Sequence, residues 1–300
     1  MEMRRLEVFC KVVELKSFTK AAEALSLSQP TVSEHIRALE AMLGEKMVDR
    51  LGRTVQPTAA GRLFYQYARN ILRISEEAMQ ALMQFKGELA GRLVLGASTI
   101  PGTYILPRLI GLFKAEHPAI QITLKIADSA EVAEELLQGD VEAALIGTRL
   151  NDRRLLLEEI FSDELVLVVF PDHPWAKKRG IHIEELEGQP FILRERGSGT
   201  RHVMERILEE HGFAVSILSA VAEMGSTEAV RQSVKAGIGI SIISRQAVDE
   251  DVRQGMLSEV IIKDIRFFRP FYLIQRKNRH ASPLCNAFLG YLRNAEQVRG

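Results

Sequence analysis

The segment RERGSGTRH, residues 194–202, sits between an apolar run and a helical pattern. Gly197, Ser198, Gly199 and Thr200 offer backbone N–H groups and hydroxyls where a helix begins, and Arg201 adds a fixed positive charge. That chemistry suits an anion. Three other turns repeat it. Ser98 and Thr99 open STIPG between a strand and a helix, Gly147 and Thr148 end another strand, and Ser226 and Thr227 open a further helix. Ligands of open α/β sheets bind outside the carboxyl ends of strands, which is where such turns lie. A plainer alternative makes Ser98, Ser198 and Ser226 helix caps and pairs Arg201 with Glu205 one turn on.

A second stretch, LSLSQPTVSEHIRALEAMLG at residues 25–44, suits a different partner. Val32, Ile36, Leu39 and Leu43 form one apolar helix face. Ser28 is a good N-cap, Pro30 fits only the first turn, and Gly44 ends the helix. The other side carries Gln29, Pro30, Thr31, Ser33, Glu34 and Arg37. Gln can pair bidentately with adenine, Thr can touch a thymine methyl, and Glu can accept from cytosine. A helix that only packs needs no such tip; one that enters a DNA groove does.

Other chemistries find no support. The seven histidines are scattered without metal spacing, and no G-x-S-x-G elbow or P-loop ending is present. Neither a catalytic set, a metal site nor a cofactor is therefore expected. The two cysteines, Cys10 and Cys285, read as small buried thiols. The N-terminus has no apolar signal-peptide core, and no stretch is long and apolar enough to span a membrane, so a cytoplasmic protein is expected. Three hundred residues exceed one compact core. The net charge of zero argues against a nonspecific coat on nucleic acid, but not against a small DNA-reading module.

The elements that position these residues fall into three parts. Residues 1–58 read as three short helices, the second and third forming a helix-turn-helix, followed by a β-hairpin wing in EKMVDRLGRTVQPTAAG. Arg50 and Arg53 flank the wing tip, within reach of phosphates or a minor groove. Residues 59–90 form one long helix. Leu63, Tyr67, Ile71, Ile74, Ala78, Leu82 and Phe85 repeat along it every 11 residues, one stripe on a nearly straight helix that must be buried. From 91 to 300 strands and helices alternate, which predicts a mostly parallel sheet covered by helices, with too many strands for one small sheet.

The first 65 residues closely resemble the winged helix-turn-helix of LysR-type transcriptional regulators. The match runs through Phe9, Ser17–Phe18, Ala21–Ala22, Leu25, Ser28–Gln29–Pro30, Val32–Ser33, Ile36, Leu39–Glu40, Leu43–Gly44, Arg50, Thr58 and Gly61. It departs at Glu34–His35, where many relatives carry Arg, Lys or Gln. FKAEHPAIQI, LQGDVEAALIG, DELVLVVFPDHPWA and VKAGIGISIIS are similar to landmarks of the family's effector domain, a two-lobed fold like that of type II periplasmic binding proteins.

The resemblance implies an α/β multidomain chain. It would comprise a DNA-binding head at 1–58, a linker and dimerisation helix at 59–90, and an effector domain at 91–300. Lobe one would be 92–163 with 268–300, and lobe two 164–267. An effector would sit between the lobes, lined by the turns above. RERGSGTR is similar to the segment in members that regulate sulfur and oxyanion metabolism, so a small oxyanion or short carboxylate is expected. Partners would be double-stranded DNA with a roughly two-fold operator, a second copy or a tetramer, and RNA polymerase. A solute-binding protein using the body alone, or an enzyme, leaves the DNA-reading head unexplained.

Overall fold

A computed structural model of the chain describes residues 2–51, 54–86 and 89–297. Internal contacts divide the chain after residue 88 into two units.

In the first unit, α1 (Met3–Leu15), α2 (Phe18–Ala24) and α3 (Gln29–Leu43) surround a core of Leu6, Phe9, Val12, Phe18, Val32, Ile36 and Leu39. Ala21 and Ala22 are buried, and their small size lets neighbouring helices approach. Ser17 and Ser28 cap α2 and α3 by accepting from the N–H groups of Lys20 and Thr31. Gly44 ends α3 in a left-handed conformation with φ of 72°. The wing is β1 (Val48–Leu51) paired antiparallel with β2 (Thr54–Pro57). Its tip, with Arg53, lies outside the described residues, as does the side chain of Arg50.

Buried Glu40 ties the wing to α3. Its Oε1 accepts from Met47 N at 3.0 Å and Val48 N at 3.4 Å, and its Oε2 from Lys46 Nζ at 2.9 Å. Thr58 then caps the long α4 (Ala59–Phe85), accepting from Gly61 N and donating to Lys46 O. A Cβ at Gly61 would lie 1.9 Å from Met47 O, so only glycine lets α4 start against the wing. Along α4, Leu63, Tyr67, Ile74, Ala78, Leu82 and Phe85 are exposed in the single chain, Phe85 at 91%. Ile71, expected on the same stripe, instead packs against the head core.

The second unit opens with β3 (Gly91–Ser98), a π-helical turn (Pro101–Ile105) and α5 (Leu106–Glu116). There follow β4 (Ile120–Ala127), α6 (Ser129–Gln138), β5 (Ala143–Ile146), the long β6 (Leu155–Val169) and β7 (Pro190–Arg194). Next come α7 (Gly199–Glu210), β8 (Ser219–Met224), α8 (Thr227–Lys235), β9 (Ser241–Ser244), α9 (Arg245–Arg253) and β10 (Ser258–Val260). The chain returns through β11 (Phe267–Arg276) to α10 (Pro283–Gln297). Neither the first half of β6, nor α9, nor β10 stands out in the sequence.

The main sheet runs β10-β6-β11-β5-β3-β4, with β9 also on β6. The expectation of a mostly parallel sheet does not hold. Only β3–β4 and β3–β5 are parallel there; β11–β5, β11–β6, β10–β6 and β6–β9 are antiparallel. The reason lies in β6 and β11, which pair over the whole of β11 and residues 155–165 of β6 and pass through two separate cores. On β6, Ile160 and Phe161 join Leu109, Phe113 and Phe288, whereas Leu165 and Leu167 join Phe191, Met204 and Leu208. On β11, Phe271 and Leu273 belong to the first core and Phe267 to the second. A parallel pair, β7–β8, adds to the second lobe. Cys10 and Cys285 are both buried and stand outside any disulfide, and burial pushes the Cys10 thiol up to about 12.

Gly61→Ala should destabilise the head by about 3 kcal/mol, since backbone rather than a flexible side chain blocks the new methyl. Faster amide exchange across α1–α3 than in the wild-type chain would report it.

Candidate functional site

Several strand and helix ends of the second unit meet at one cavity of about 190 Å³. Ser98 and Thr99 come from the end of β3, Asp128 to Ala130 from the start of α6, and Gly147 and Thr148 from the loop after β5. Arg194 ends β7 and Glu195 follows it, Gly197 to Thr200 form the start of α7 and the turn before it, and Arg269 and Phe271 belong to β11. Of the turns proposed from sequence, Ser98, Thr99, Thr148, Gly197, Ser198, Gly199 and Thr200 line this space.

Three proposed residues do not line it. The Arg201 guanidinium donates to Glu205 Oε1 at 2.6 Å, to Glu223 Oε2 at 2.8 Å and to Arg194 O at 2.8 Å. Its charge is spent on the outer side of α7, as i to i+4 spacing with Glu205 allows. Ser226 caps α8, and Thr227 is buried against Arg194. Ser198 likewise caps α7, but Ser98 caps no helix. Its hydroxyl accepts from Gly147 N at 3.0 Å, joining the ends of β3 and β5 across the cavity wall.

The positive charge comes instead from Arg269 and Arg194, neither of which stood among the candidates. Arg269 is 4% exposed. It lies directly across the β6–β11 pair from Asp163, whose Oδ2 accepts from Nε at 2.9 Å and Nη2 at 2.7 Å. Its Nη1 donates to Thr200 Oγ1 at 3.1 Å, and its guanidinium lies over the Phe271 ring. Ser244 Oγ donates to the other oxygen of Asp163 at 2.9 Å. Burial pushes the Asp163 carboxyl above the usual carboxylate range and pulls Arg269 below the usual arginine value. Their mutual attraction opposes both shifts, and the nearby Arg194 charge lowers Arg269 further.

Arg194 is also buried, with Nε and Nη2 on Glu195 and Nη1 on Thr227. Gly199 closes the wall between the lobes: a Cβ there would lie 2.8 Å from Thr148 Oγ1, so glycine lets the start of α7 reach the loop after β5. The α6 terminus is already satisfied, because Asp128 Oδ1 accepts from the N–H groups of Ala130 and Glu131 at 2.8 Å. Two arginines, serine and threonine residues and a helix N-terminus thus line one small volume, and groups of these types are hydrogen-bond donors to anionic oxygens. One sequence signal pointed to Arg269: a charged residue inside the apolar run FFRPFYLIQ.

In the head, the tip of α3 presents Gln29, Pro30, Glu34 and Arg37 to solvent, with Thr31 half-buried. Ser28 and Thr31 share a hydroxyl hydrogen bond of 2.8 Å. Ser33 departs from expectation. It is 5% exposed and accepts from Gln29 Nε2 at 3.0 Å, so it orients Gln29 rather than meeting a base itself. Among the described residues no cluster of His, Cys, Asp and Glu could hold a metal, and no helix is long and apolar enough to cross a membrane.

Comparison with known proteins covers both units. A family described as "Bacterial regulatory helix-turn-helix protein, lysR family" matches residues 3–62, and the "LysR substrate binding domain" matches 86–297. The chain is 34% identical over 97% of both lengths to a "Probable RuBisCO transcriptional regulator" of Cyanidioschyzon merolae. Among solved structures, the Synechocystis CcmR regulatory domain in complex with 2-PG superposes with a TM-score of 0.63 and 27% identity, over 69% of this chain and 98% of that one. Full-length CbnR complexed with its target DNA superposes with a TM-score of 0.70 and 22% identity, over 98% and 100%.

Arg269→Met should cost about 3–5 kcal/mol at neutral pH by stranding Asp163 in the interior. A raised folded-state pKa means the folded protein binds the proton more readily than the unfolded one, so stability is gained as pH falls through that pKa. Losing the Arg269 charge and hydrogen bonds, which hold the Asp163 carboxyl down, raises it further in the variant, so the variant gains more on acidification and the deficit should shrink, as urea titrations at several pH values would show.

Proposed function

The chain belongs to the LysR family of bacterial transcriptional regulators, and from that premise we propose that a small acid with several oxygens is its effector, bound in the cavity between the lobes. The protein is a DNA-binding regulator of transcription with an effector-binding domain, and the family is not one of enzymes. The observation that carries the proposal is the pair of deeply buried guanidiniums, Arg194 and Arg269, at one cavity. A volume of about 190 Å³ exceeds the roughly 150 Å³ that admits benzene in an apolar cavity, so a short phosphorylated or carboxylated acid fits as well as a bare oxyanion. The CcmR neighbour with bound 2-PG supports an acid of this kind. The similarity of RERGSGTR to sulfur-regulating members keeps sulfite, sulfate and thiosulfate in the test, although the relative named above carries RuBisCO in its name.

Binding would act through a preference for one arrangement of the lobes, which share β6 and β11 as their connection. The exposed stripe of α4 would bury against a second copy, giving a dimer or a tetramer, with the larger assembly favoured. Two heads would then read a roughly two-fold operator in the cytoplasm, with RNA polymerase as a further contact. Gln29, Thr31, Glu34 and Arg37 would meet base edges, Arg50 and Arg53 the backbone or minor groove. The CbnR complex with DNA supports this use of the fold.

Calorimetric titration of the full chain with sulfite, sulfate, thiosulfate, phosphate and short carboxylates tests the effector. One should bind saturably, Arg194→Gln should weaken it at least about tenfold, and Arg201→Gln should leave it nearly unchanged. Binding lost with Arg201 and kept without Arg194 would move the ligand out of this cavity. On the DNA side, Gln29→Ala with Thr31→Ala should cost about 1–3 kcal/mol of discrimination between operator variants. An operator ranking that stays the same in competition shift assays would defeat the assignment of the α3 tip.

A further inference from the structure

Both cavity arginines already hold a carboxylate, and the two carboxylates differ in kind. Asp163 is fully buried, faces Arg269 across the strand pair and does not line the cavity. Glu195 lines the cavity, follows Arg194 directly in the chain and keeps 37% of its side chain exposed. It covers one whole edge of the guanidinium, accepting from Arg194 Nε at 2.7 Å with Oε2 and from Nη2 at 2.6 Å with Oε1. Burial opposes the charge on Glu195, but the bonds from Arg194 prevail and hold its carboxyl below the usual carboxylate range. The third arm of Arg194 is fixed by Thr227.

A fork edge is the part of arginine that takes a carboxylate or phosphate bidentately. Here the protein's own carboxylate sits on it. We propose that Glu195 is an internal competitor of the effector: an incoming anion replaces it on the Nε and Nη2 edge of Arg194, and the Glu195 side chain moves to solvent. This rests on the cavity being the effector site. The exchange is a swap of hydrogen bonds, with no covalent change.

Exposure decides which carboxylate gives way. Glu195 regains water when it leaves, whereas Asp163 would strand two charges in the interior. Only the side chain has to move, because the backbone is held by Glu195 N on Met224 O and Ser198 N on Glu195 O, each at 3.0 Å. Glu195 therefore acts as a specificity-determining residue. A ligand must offer two acceptor oxygens in one plane to replace both bonds, so oxyanions and carboxylates compete and a monatomic anion does not.

Titration of the full chain with inorganic phosphate, and separately with chloride, tests this in the wild type, Glu195→Gln, Glu195→Asp and Arg194→Gln. Glu195→Gln should bind phosphate at least about tenfold more tightly than wild type, because a neutral amide holds a guanidinium less strongly than a carboxylate does. Glu195→Asp, which keeps the charge but is shorter, should shift affinity the same way by less, and guards against misfolding of the first variant. Chloride should bind none of them measurably. Phosphate binding that is lost in Arg194→Gln but equal or weaker in Glu195→Gln would overturn the competitor role and leave the cavity standing. Absence of phosphate binding in both wild type and Glu195→Gln would overturn the cavity assignment along with it. Chloride competing with phosphate in the wild type would overturn the two-oxygen requirement.

Discussion

The buried pair of Asp163 and Arg269 fixes the point at which β6 and β11 pass from one core to the other. Two charges taken out of water are costly, and such a pair contributes little net stability compared with apolar packing. Its effect is on register. Direct partners on an antiparallel pair point to the same face, and a slip by one residue would send the guanidinium and the carboxylate to opposite faces. One of them would then meet an apolar core unpaired. The two strands thus have one low-energy alignment, and both lobes are hung from it.

The cavity follows from that alignment. Arg269 donates to Thr200 with the arm that Asp163 does not use, which ties the start of α7 in the second lobe to the crossing strands. Ser98 joins the ends of β3 and β5 on the other side. Gly199 lets the two walls approach as far as Thr148. The result is a polar pocket whose cations come from β7 and β11 and whose hydroxyls come from the ends of strands and helices. The electrostatic field there is that of two guanidiniums partly balanced by their own carboxylates.

The head obeys a different constraint. Its core is small, and the wing has only two short strands. Glu40 supplies the acceptors that the first wing residues lack, and Thr58 and Gly61 set the start of α4 against Met47. At the tip of α3, Ser28 caps the helix and the Gln29 to Ser33 bond sets one side chain in place, while Gln29, Pro30, Glu34 and Arg37 stay exposed.

The sequence alone determined the local structure. Ser28 and Gly44 bound α3, Asp128 and Gly139 bound α6, and the alternation of IQITL and the apolar run AALI announced their strands, because caps and periodicity act over a few residues. The serine and threonine turns around the cavity were legible for the same reason. Tertiary structure alone decided where the charges go. Arg201 and Arg194 belong to one short segment, and only Arg269 stands out, as a charge inside an apolar run; which of the three lines the cavity depends on carboxylates as far away as Asp163, 106 residues from Arg269. The mixed sheet was hidden too, since strand direction depends on which distant segment returns alongside, and β6 meets β11 only after the chain has built a whole second lobe between them. Local propensity cannot carry that information, because the free energy that selects the pairing comes from desolvation and charge pairing in the assembled interior.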